Sequence, residues 1–187
     1  YYVMKKFKLI LVFIIVSSYC FGQENESSTS IFISQAKYYQ INKDWNIIAE
    51  FNTGTGDNAK FFPIEVIDLK TMEKQRALQI DMYVKTLNET HIAYVGYDEI
   101  GEFINFLELH VIPNMETKYK KKSSEYRFIG KEMVFSYLTN EKNKTVTIVL
   151  KKHEYGINDE DRPKFQFFAE SQSDEIIKLL TVLKILA

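Results

Sequence analysis

A short acidic stretch near the C-terminal end of the chain contains the densest group of possible metal ligands. Hard cations such as Ca²⁺ prefer oxygen ligands, which makes Asp159, Glu160 and Asp161 candidate metal ligands. His153, Glu154 and Asn158 lie beside them. The spacing of an EF-hand loop is absent, and acidic loops of this size are commonly only solvated. The stretch is therefore open to two interpretations, a cation site or a hydrated loop.

The three histidines, His91, His110 and His153, do not form a recognisable catalytic or zinc site. None of them lies three or four residues from another histidine or from a cysteine, which is the spacing of a helical zinc motif. No serine occupies a Gly-x-Ser-x-Gly elbow, the nucleophile signature of the α/β-hydrolases. We therefore assign no catalytic residue, no cofactor-binding residue and no cofactor. A hydrolase whose site is assembled from distant parts of the chain remains an alternative.

Residues 54–59, Gly-Thr-Gly-Asp-Asn-Ala, match one variant of the dinucleotide-binding fingerprint. That fingerprint requires a helix directly after it, within a βαβ unit. Here Phe61, Phe62 and Pro63 begin a predicted strand instead. We interpret these residues as a flexible loop between two strands.

Two pairs of adjacent aromatic residues, Tyr38–Tyr39 and Phe61–Phe62, could contact a sugar or a peptide. Successive side chains of a strand point to opposite faces, so we expect at most one residue of each pair on the surface. Four lysines in residues 118–122 could meet an anionic surface, although such a run is more typical of a solvated linker.

Two amphipathic patterns predict two helices, each directly after a predicted strand. In the first helix, the apolar residues recur at the spacing that places them on one face: Ile100, Phe103, Ile104, Leu107 and Val111. We expect Asp98 to cap this helix and Pro113 to end it. The second helix shows the same pattern with Ile176, Leu179, Leu180 and Leu183, and Ser171 and Asp174 have the spacing of a capping box.

Alternating and β-branched segments predict the strands that position these helices. We expect strands at residues 31–41, 45–51, 62–69, 77–84, 91–97, 126–129, 133–138, 145–151 and 164–168. The fold class that follows is α+β, with antiparallel sheet packed against two amphipathic helices. We predict two β4-α repeats in one compact unit, at residues 31–113 and 125–187, joined by a linker at 114–124.

This order of elements, four strands and a helix taken twice, resembles that of the whirly and PUR proteins. The resemblance implies single-strand nucleic-acid binding as one possible function. It concerns the order of elements only, and the chain carries no motif of either family, so no family is assigned.

The N-terminal residues have the three parts of a secretory signal peptide. Lys5, Lys6 and Lys8 precede an apolar run at residues 9–16, and a short segment with small residues ends at Gly22. The apolar run is too short to span a bilayer as a helix. We expect residues 1–22 to be the signal, residues 1–3 to be an upstream extension, and residues 23–30 to be a disordered leader. Lipid attachment at Cys20 is the alternative, although the bulky Tyr19 before it is unfavourable.

Composition narrows the classes of function. Removing residues 1–22 takes away three lysines and no acidic residue, which changes the net charge from −1 to −4. A negative charge argues against broad nucleic-acid binding. Cys20 is the only cysteine, so the mature chain would contain none and its stability must come from its core. We expect an exported, non-enzymatic binding or accessory module whose partner is an envelope protein, a peptide or a glycan, without a transmembrane span.

Overall fold

The computed structural model describes residues 26–151 and 164–187, which form three helices and two antiparallel sheets. The helices are α1 (Ser28–Gln35), α2 (Tyr97–Phe106) and α3 (Ser173–Leu186). The strands are β1 (Tyr39–Lys43), β2 (Ala49–Asn52), β3 (Asn58–Asp68), β4 (Lys74–Val84), β5 (Glu89–Gly96), β6 (Ser123–Ile129), β7 (Met133–Asn140), β8 (Lys144–Leu150) and β9 (Lys164–Phe168). The predicted α+β class is confirmed.

The first sheet is organised around its long strand β3. One side of β3 pairs with β4, which in turn pairs with β5. The other side pairs with two short strands, β2 along its first part and β1 along its last part. The second sheet is a simple meander in the order β6-β7-β8-β9.

One hydrophobic core joins both sheets and two helices. Phe103 of α2 lies flat against Phe128 of β6, with ring centroids 4.4 Å apart, although the two residues belong to different predicted repeats. Helix α3 contacts β2, β3 and β4 of the first sheet, although it follows the second sheet in the chain. The two halves therefore bury their apolar faces together, while their origin as a duplication stays a prediction.

A smaller cluster covers the opposite face of the first sheet. Phe62, Ile64, Val66 and Ala77 are buried there, and Phe32 and Ile33 of α1 pack against them. Strand β3 consequently has apolar contacts on both faces, which explains why its alternation is blurred in the sequence.

The prediction for residues 23–41 is wrong in two respects. Residues 26–30 are not a disordered leader, because Ser27 and Thr29 are fully buried and α1 begins at Ser28. Residues 31–35 are helical, and only the end of the predicted strand is strand β1. The Ser27 side chain caps α1 by accepting a hydrogen bond from the Ser30 N–H at 3.1 Å. This cap and the packing of Phe32 against the first sheet outweigh the preference of the β-branched residues in this segment for a strand.

The two helices predicted from periodicity are present, but their caps differ from the prediction. The N-cap of α2 is Gly96, whose N–H donates to Glu99, while Asp98 binds Ser28 and Lys131 instead. Helix α2 continues as a π-helical turn at Leu107–Val111 and a 3-10 turn at Ile112–Asn114. The predicted capping box of α3 is wrong: Gln172 occupies the N-cap position and makes no side-chain capping bond.

Other boundaries shift by a few residues. Strand β1 ends at Lys43, two residues beyond the predicted strand 31–41, and β3 begins at Asn58, inside the segment 54–59, which is predicted to be a loop. The predicted linker 114–124 overlaps the start of β6 at Ser123. The predicted signal segment, residues 1–22, lies outside the described residues.

Candidate functional site

The candidate metal ligands Asp159, Glu160 and Asp161 lie outside the described residues, as does His153. Within residues 26–151 and 164–187, no group of three or more histidine, cysteine, aspartate or glutamate side chains could hold a metal ion. The proposed cation site therefore stays a prediction.

The two described histidines do not form a paired catalytic set. His91 lies on β5, with its Nε2 atom 3.7 Å from a carboxylate oxygen of Glu89. His110 is exposed near the end of the helical segment that follows α2, and its ring stacks on Tyr126 with centroids 6.2 Å apart. Neither contact by itself provides a nucleophile and a base.

Residues 54–59 form the turn of the β2–β3 hairpin and the start of β3, as the strand after them implied. Thr53 and Asp57 close the turn through backbone and side-chain hydrogen bonds, including Asp57 N–H to Thr53 Oγ1 at 3.0 Å. Gly56 adopts a φ of 97°, a conformation that glycine tolerates best. The segment is a structural turn rather than the start of a phosphate-binding helix.

The aromatic pairs do not follow the expected one-in, one-out pattern. Phe61 and Phe62 are both buried, because the first sheet has an apolar cluster on each face. Tyr38 and Tyr39 are both exposed, by 60% and 47%, at the start of β1. The exposed tyrosines thus remain candidates for ligand contact, and the phenylalanines do not.

The pairing register of the first sheet places Tyr39 on the same face as further polar and aromatic groups. Tyr39 and Lys43 lie on the same face of β1, and Trp45 lies two residues after the end of the strand. Asp81 of β4 lies on this face too, because β3 aligns β1 with β4. We call Tyr38, Tyr39, Lys43, Trp45 and Asp81 the β1 surface.

Trp45 forms one end of the β1 surface. Its side chain is 64% exposed, and its ring meets the buried ring of Phe62 edge-on with centroids 4.7 Å apart. The Lys43 ammonium lies 5.3 Å from the centroid of the same Phe62 ring. One buried ring therefore supports both an exposed aromatic side chain and a cation.

Charged and amide groups occupy the middle of the β1 surface. Lys43 Nζ lies 3.0 Å from Asp81 Oδ2, and the side-chain amide of Gln79 donates to Asp81 Oδ1. Gln79 is 1% exposed, and its carbonyl oxygen has no hydrogen-bond partner among the described residues. The group offers both donors and acceptors but carries little net charge.

Tyr94 lies next to the β1 surface and is partly buried. Burial, together with nearby Tyr39, Glu132 and Asp81, raises the pKa of Tyr94 to about 12. Its hydroxyl therefore stays protonated at physiological pH and can serve as a hydrogen-bond donor, not as a base.

Two cavities lie next to the elements that carry these groups. One, of about 410 Å³, adjoins the other face of β1, and its polar lining includes Asn42, Asp44, Asn46 and Arg76. The second, of about 460 Å³, is an open crevice between α2 and β6, lined by Glu102, Leu109, His110, Tyr126 and Arg127 among others. Both are open depressions suited to holding part of a larger partner.

Sequence reasoning named the pair Tyr38–Tyr39 as a candidate with at most one exposed member, and it missed Lys43, Trp45 and Asp81. The available signal was weak: Tyr39, Ile41 and Lys43 alternate with polar residues along one strand. The alignment of Asp81 with that strand depends on the order of strands in the sheet. The arrangement suits non-covalent binding, because it combines exposed rings with balanced polar groups and presents no activated nucleophile.

None of the helices in the described part of the chain is long and apolar enough to cross a membrane. Comparison of the chain with protein-family models, with curated proteins and with solved structures finds no match.

Proposed function

We propose that this protein is an exported, non-enzymatic binding module of the cell envelope, and that its β1 surface holds a neutral glycan. The observation that carries the proposal is that Tyr39 and Trp45 are exposed on the same face of the sheet as the Lys43–Asp81 pair, with Tyr38 exposed next to Tyr39. Exposed aromatic side chains are costly to leave in water and are enriched where proteins bind partners.

The chemistry of the surface favours a neutral ligand rich in hydroxyl groups. Tyrosine and tryptophan rings offer flat apolar faces together with a polar atom, which suits the mixed faces of a sugar ring. Lys43 and Asp81 supply a donor and an acceptor side by side, 3.0 Å apart. A hydroxyl group can both donate and accept, so it complements such a pair, whereas a strongly charged ligand would be repelled by one member.

The same charges argue against single-strand nucleic acid as the ligand. Nucleic-acid grooves combine stacking aromatics with basic groups that are free to meet phosphates. On this face Lys43 is paired with Asp81, and Lys60 with Glu50 at 3.5 Å, although Lys37 lies over the ring of Tyr38, 5.5 Å from its centroid. The alternative of a hydrolase depends in part on His153, which lies outside the described residues, and it stays a hypothesis.

Trp45 provides a direct test, because it is the only tryptophan in the sequence. We expect titration with soluble fragments of envelope glycans to change the intensity or wavelength of its fluorescence in a saturable way. Tyr39→Ala should weaken this binding by about tenfold, a typical effect for one aromatic contact. Tyr97→Ala is the matched control, since Tyr97 is 56% exposed on α2, away from β1, and should leave the titration unchanged.

Saturable fluorescence changes with peptides but not glycans would replace the glycan by a peptide ligand. No saturable change with either class, or equal losses in both tyrosine variants, would refute the β1 surface as the binding site. Export is tested separately by the intact mass of the chain and by cell fractionation. We expect a chain that begins at Gln23 outside the cytoplasm; an unprocessed cytosolic chain would refute export, and a lipid on Cys20 would indicate anchoring.

A further inference from the structure

The first sheet protects the outer edge of β5 with side chains from elsewhere in the chain. The backbone N–H of Tyr94 donates to Glu132 at 2.9 Å, and that of Gly96 donates to Glu99 at 3.3 Å. Tyr94 and Gly96 are two residues apart, so both N–H groups point away from β4. The two carboxylates occupy the positions at which another strand would bond.

Strand β2 is protected in the same way from the N-terminus of α3. The N–H of Glu50 donates to Glu175 and that of Asn52 donates to Gln172, both at 2.8 Å. The Gln172 amide also donates to the Asn52 carbonyl at 3.1 Å. Side-chain caps of this kind prevent a further strand from pairing with an edge.

Strand β6, at the edge of the second sheet, lacks such protection. Its seven residues pair with β7, and within residues 26–151 and 164–187 its outer backbone edge has no hydrogen-bond partner. Ile129 at its end is 67% exposed, and Leu109 on the facing helical segment is 65% exposed. A strand edge left open beside apolar side chains is a ready template for another strand.

The charges on β6 are arranged symmetrically about Tyr126. Glu125 and Arg127 lie on the outer face, with Arg127 Nε 3.3 Å from Glu125 Oε1, and both side chains are well exposed. If two copies of β6 pair antiparallel with Tyr126 opposite Tyr126, Glu125 of each copy lies opposite Arg127 of the other. Directly opposed residues of opposite charge stabilise a strand pair.

The neighbouring registers lack this complementarity. A pairing centred on Glu125 would oppose two glutamates, and one centred on Arg127 would oppose two arginines. A pairing in which odd-numbered residues of one copy lie opposite even-numbered residues of the other would place the two hydrophobic cores on opposite faces of the joined sheet. Among these three registers, the charges therefore favour the one centred on Tyr126.

We infer that this protein forms a twofold symmetric dimer in which β6 pairs with β6 of a second copy, centred on Tyr126. The two four-stranded sheets then form one continuous sheet. The twofold axis brings both copies of α2 to the same side of that sheet. The crevice between α2 and β6 of one copy then lies next to the same crevice of the other copy. The dimer buries Leu109 at this seam and gives hydrogen-bond partners to the outer backbone groups of β6. Because both copies use the same surface, the contact forms a closed dimer and not a longer assembly.

The test is the oligomeric state of the full chain, measured by light scattering during gel filtration and by sedimentation. We expect a dimer at tens of micromolar. Glu125→Arg and Arg127→Glu should each weaken dimerisation by about tenfold or more, because two like-charge contacts replace two attractive ones. The double variant Glu125→Arg/Arg127→Glu should return to within about threefold of the original constant, since it restores the opposed charges.

Mixing the two single variants gives an independent readout. In the mixture, each introduced charge meets its opposite on the other chain, so native mass spectrometry should show mixed dimers in preference to either self-dimer. Glu65→Lys is the control, because Glu65 and Lys74 form a similar exposed pair, 3.3 Å apart, on the first sheet. Circular dichroism confirms that each variant is folded.

A monomeric wild-type chain at a few hundred micromolar would refute the dimer. Dimers that persist unchanged in both single variants, or a mixture without preference for mixed dimers, would refute this seam. Saturable binding of an extended peptide to a monomeric chain would assign the edge to a peptide instead and would likewise refute the proposal.

Discussion

The buried carboxylate of Glu132 accepts two hydrogen bonds from Ser27, one from its backbone N–H at 2.9 Å and one from its hydroxyl at 2.7 Å. Its second oxygen accepts the N–H of Tyr94 at 2.9 Å. One side chain of the second half thus fastens both the start of α1 and the edge of β5. Glu132 is 1% exposed, so these bonds replace its contacts with water.

Glu132→Ala should lower the free energy of unfolding by about 3–5 kcal/mol, because it leaves several buried donors without an acceptor. Denaturant unfolding followed by circular dichroism measures the change. Glu73→Ala, at an exposed turn, is the control and should change stability by less than about 0.5 kcal/mol. A similar small effect at Glu132 would mean that the N-terminal segment is not held by this carboxylate.

Gly96 and Gly101 should respond in opposite directions to the same substitution. A Cβ atom at Gly96 would collide with the Ser28 hydroxyl and with Asp98, and it would lie 3.1 Å from the Ser28 backbone nitrogen. Gly96→Ala should therefore cost about 1–3 kcal/mol. Gly101 lies within α2 with open space around it, so Gly101→Ala should stabilise by about 0.5–1 kcal/mol. Thermal unfolding of both variants checks the pair, and equal shifts of one sign would contradict it.

Glu99 should make stability depend on pH in the acidic range. Burial raises its pKa above the ordinary value of 4.5, against hydrogen bonds from the N–H groups of Lys131 and Gly96. The folded chain therefore holds this proton more tightly than the unfolded chain, and the contribution of Glu99 to stability falls as pH rises from 4.5 through the raised pKa. Relative to Glu99→Gln, the wild type should lose stability across that window and then level off.

Asp98 is a matched control for the previous prediction, with the opposite sign. Burial opposes ionisation, but hydrogen bonds from Lys131 and Ser28 outweigh it and lower the pKa of Asp98 below 3.8. Its contribution to stability is present above pH 3.8 and is lost as pH falls through the lowered pKa. Unfolding measured as a function of pH should show the advantage over Asp98→Asn shrinking on acidification; parallel profiles for both variants would contradict this assignment.

Phe103 should be among the most sensitive core positions. It is fully buried, and its ring lies 4.4 Å from Phe128 and 5.6 Å from Phe135, measured between centroids. Phe103→Ala should cost about 3–5 kcal/mol, since the cavity opens between the two halves. Chemical denaturation measures the loss. Tyr97→Ala in the same helix should cost little, and comparable losses in the two variants would argue against a shared core.

Local patterns were sufficient to predict α2, α3 and most strands. The apolar residues Ile100, Phe103 and Leu107 are buried together as their spacing indicated, and β9 has the predicted bounds. This succeeds because a helix or strand that buries one face repeats its apolar residues at the period of its own backbone. The information is contained within a few turns of chain.

The failures occurred where distant residues determine the local structure. Residues 31–35 contain Ile31 and Ile33, which favour a strand. They are helical because Ser27 caps the helix and is itself hydrogen-bonded to Glu132, 105 positions further along the chain. Phe61 and Phe62 are both buried because two separate clusters cover β3. Neither partner can be read from the neighbouring sequence.

The sequence by itself determined the α+β class and the two amphipathic helices, since each depends on residue type and short-range spacing. Only the tertiary structure decided that Asp81 and Trp45 accompany the exposed tyrosines, that two edges of the first sheet are capped and that β6 is open. These features depend on strand order and register, which are set by the total burial of apolar surface across the whole fold.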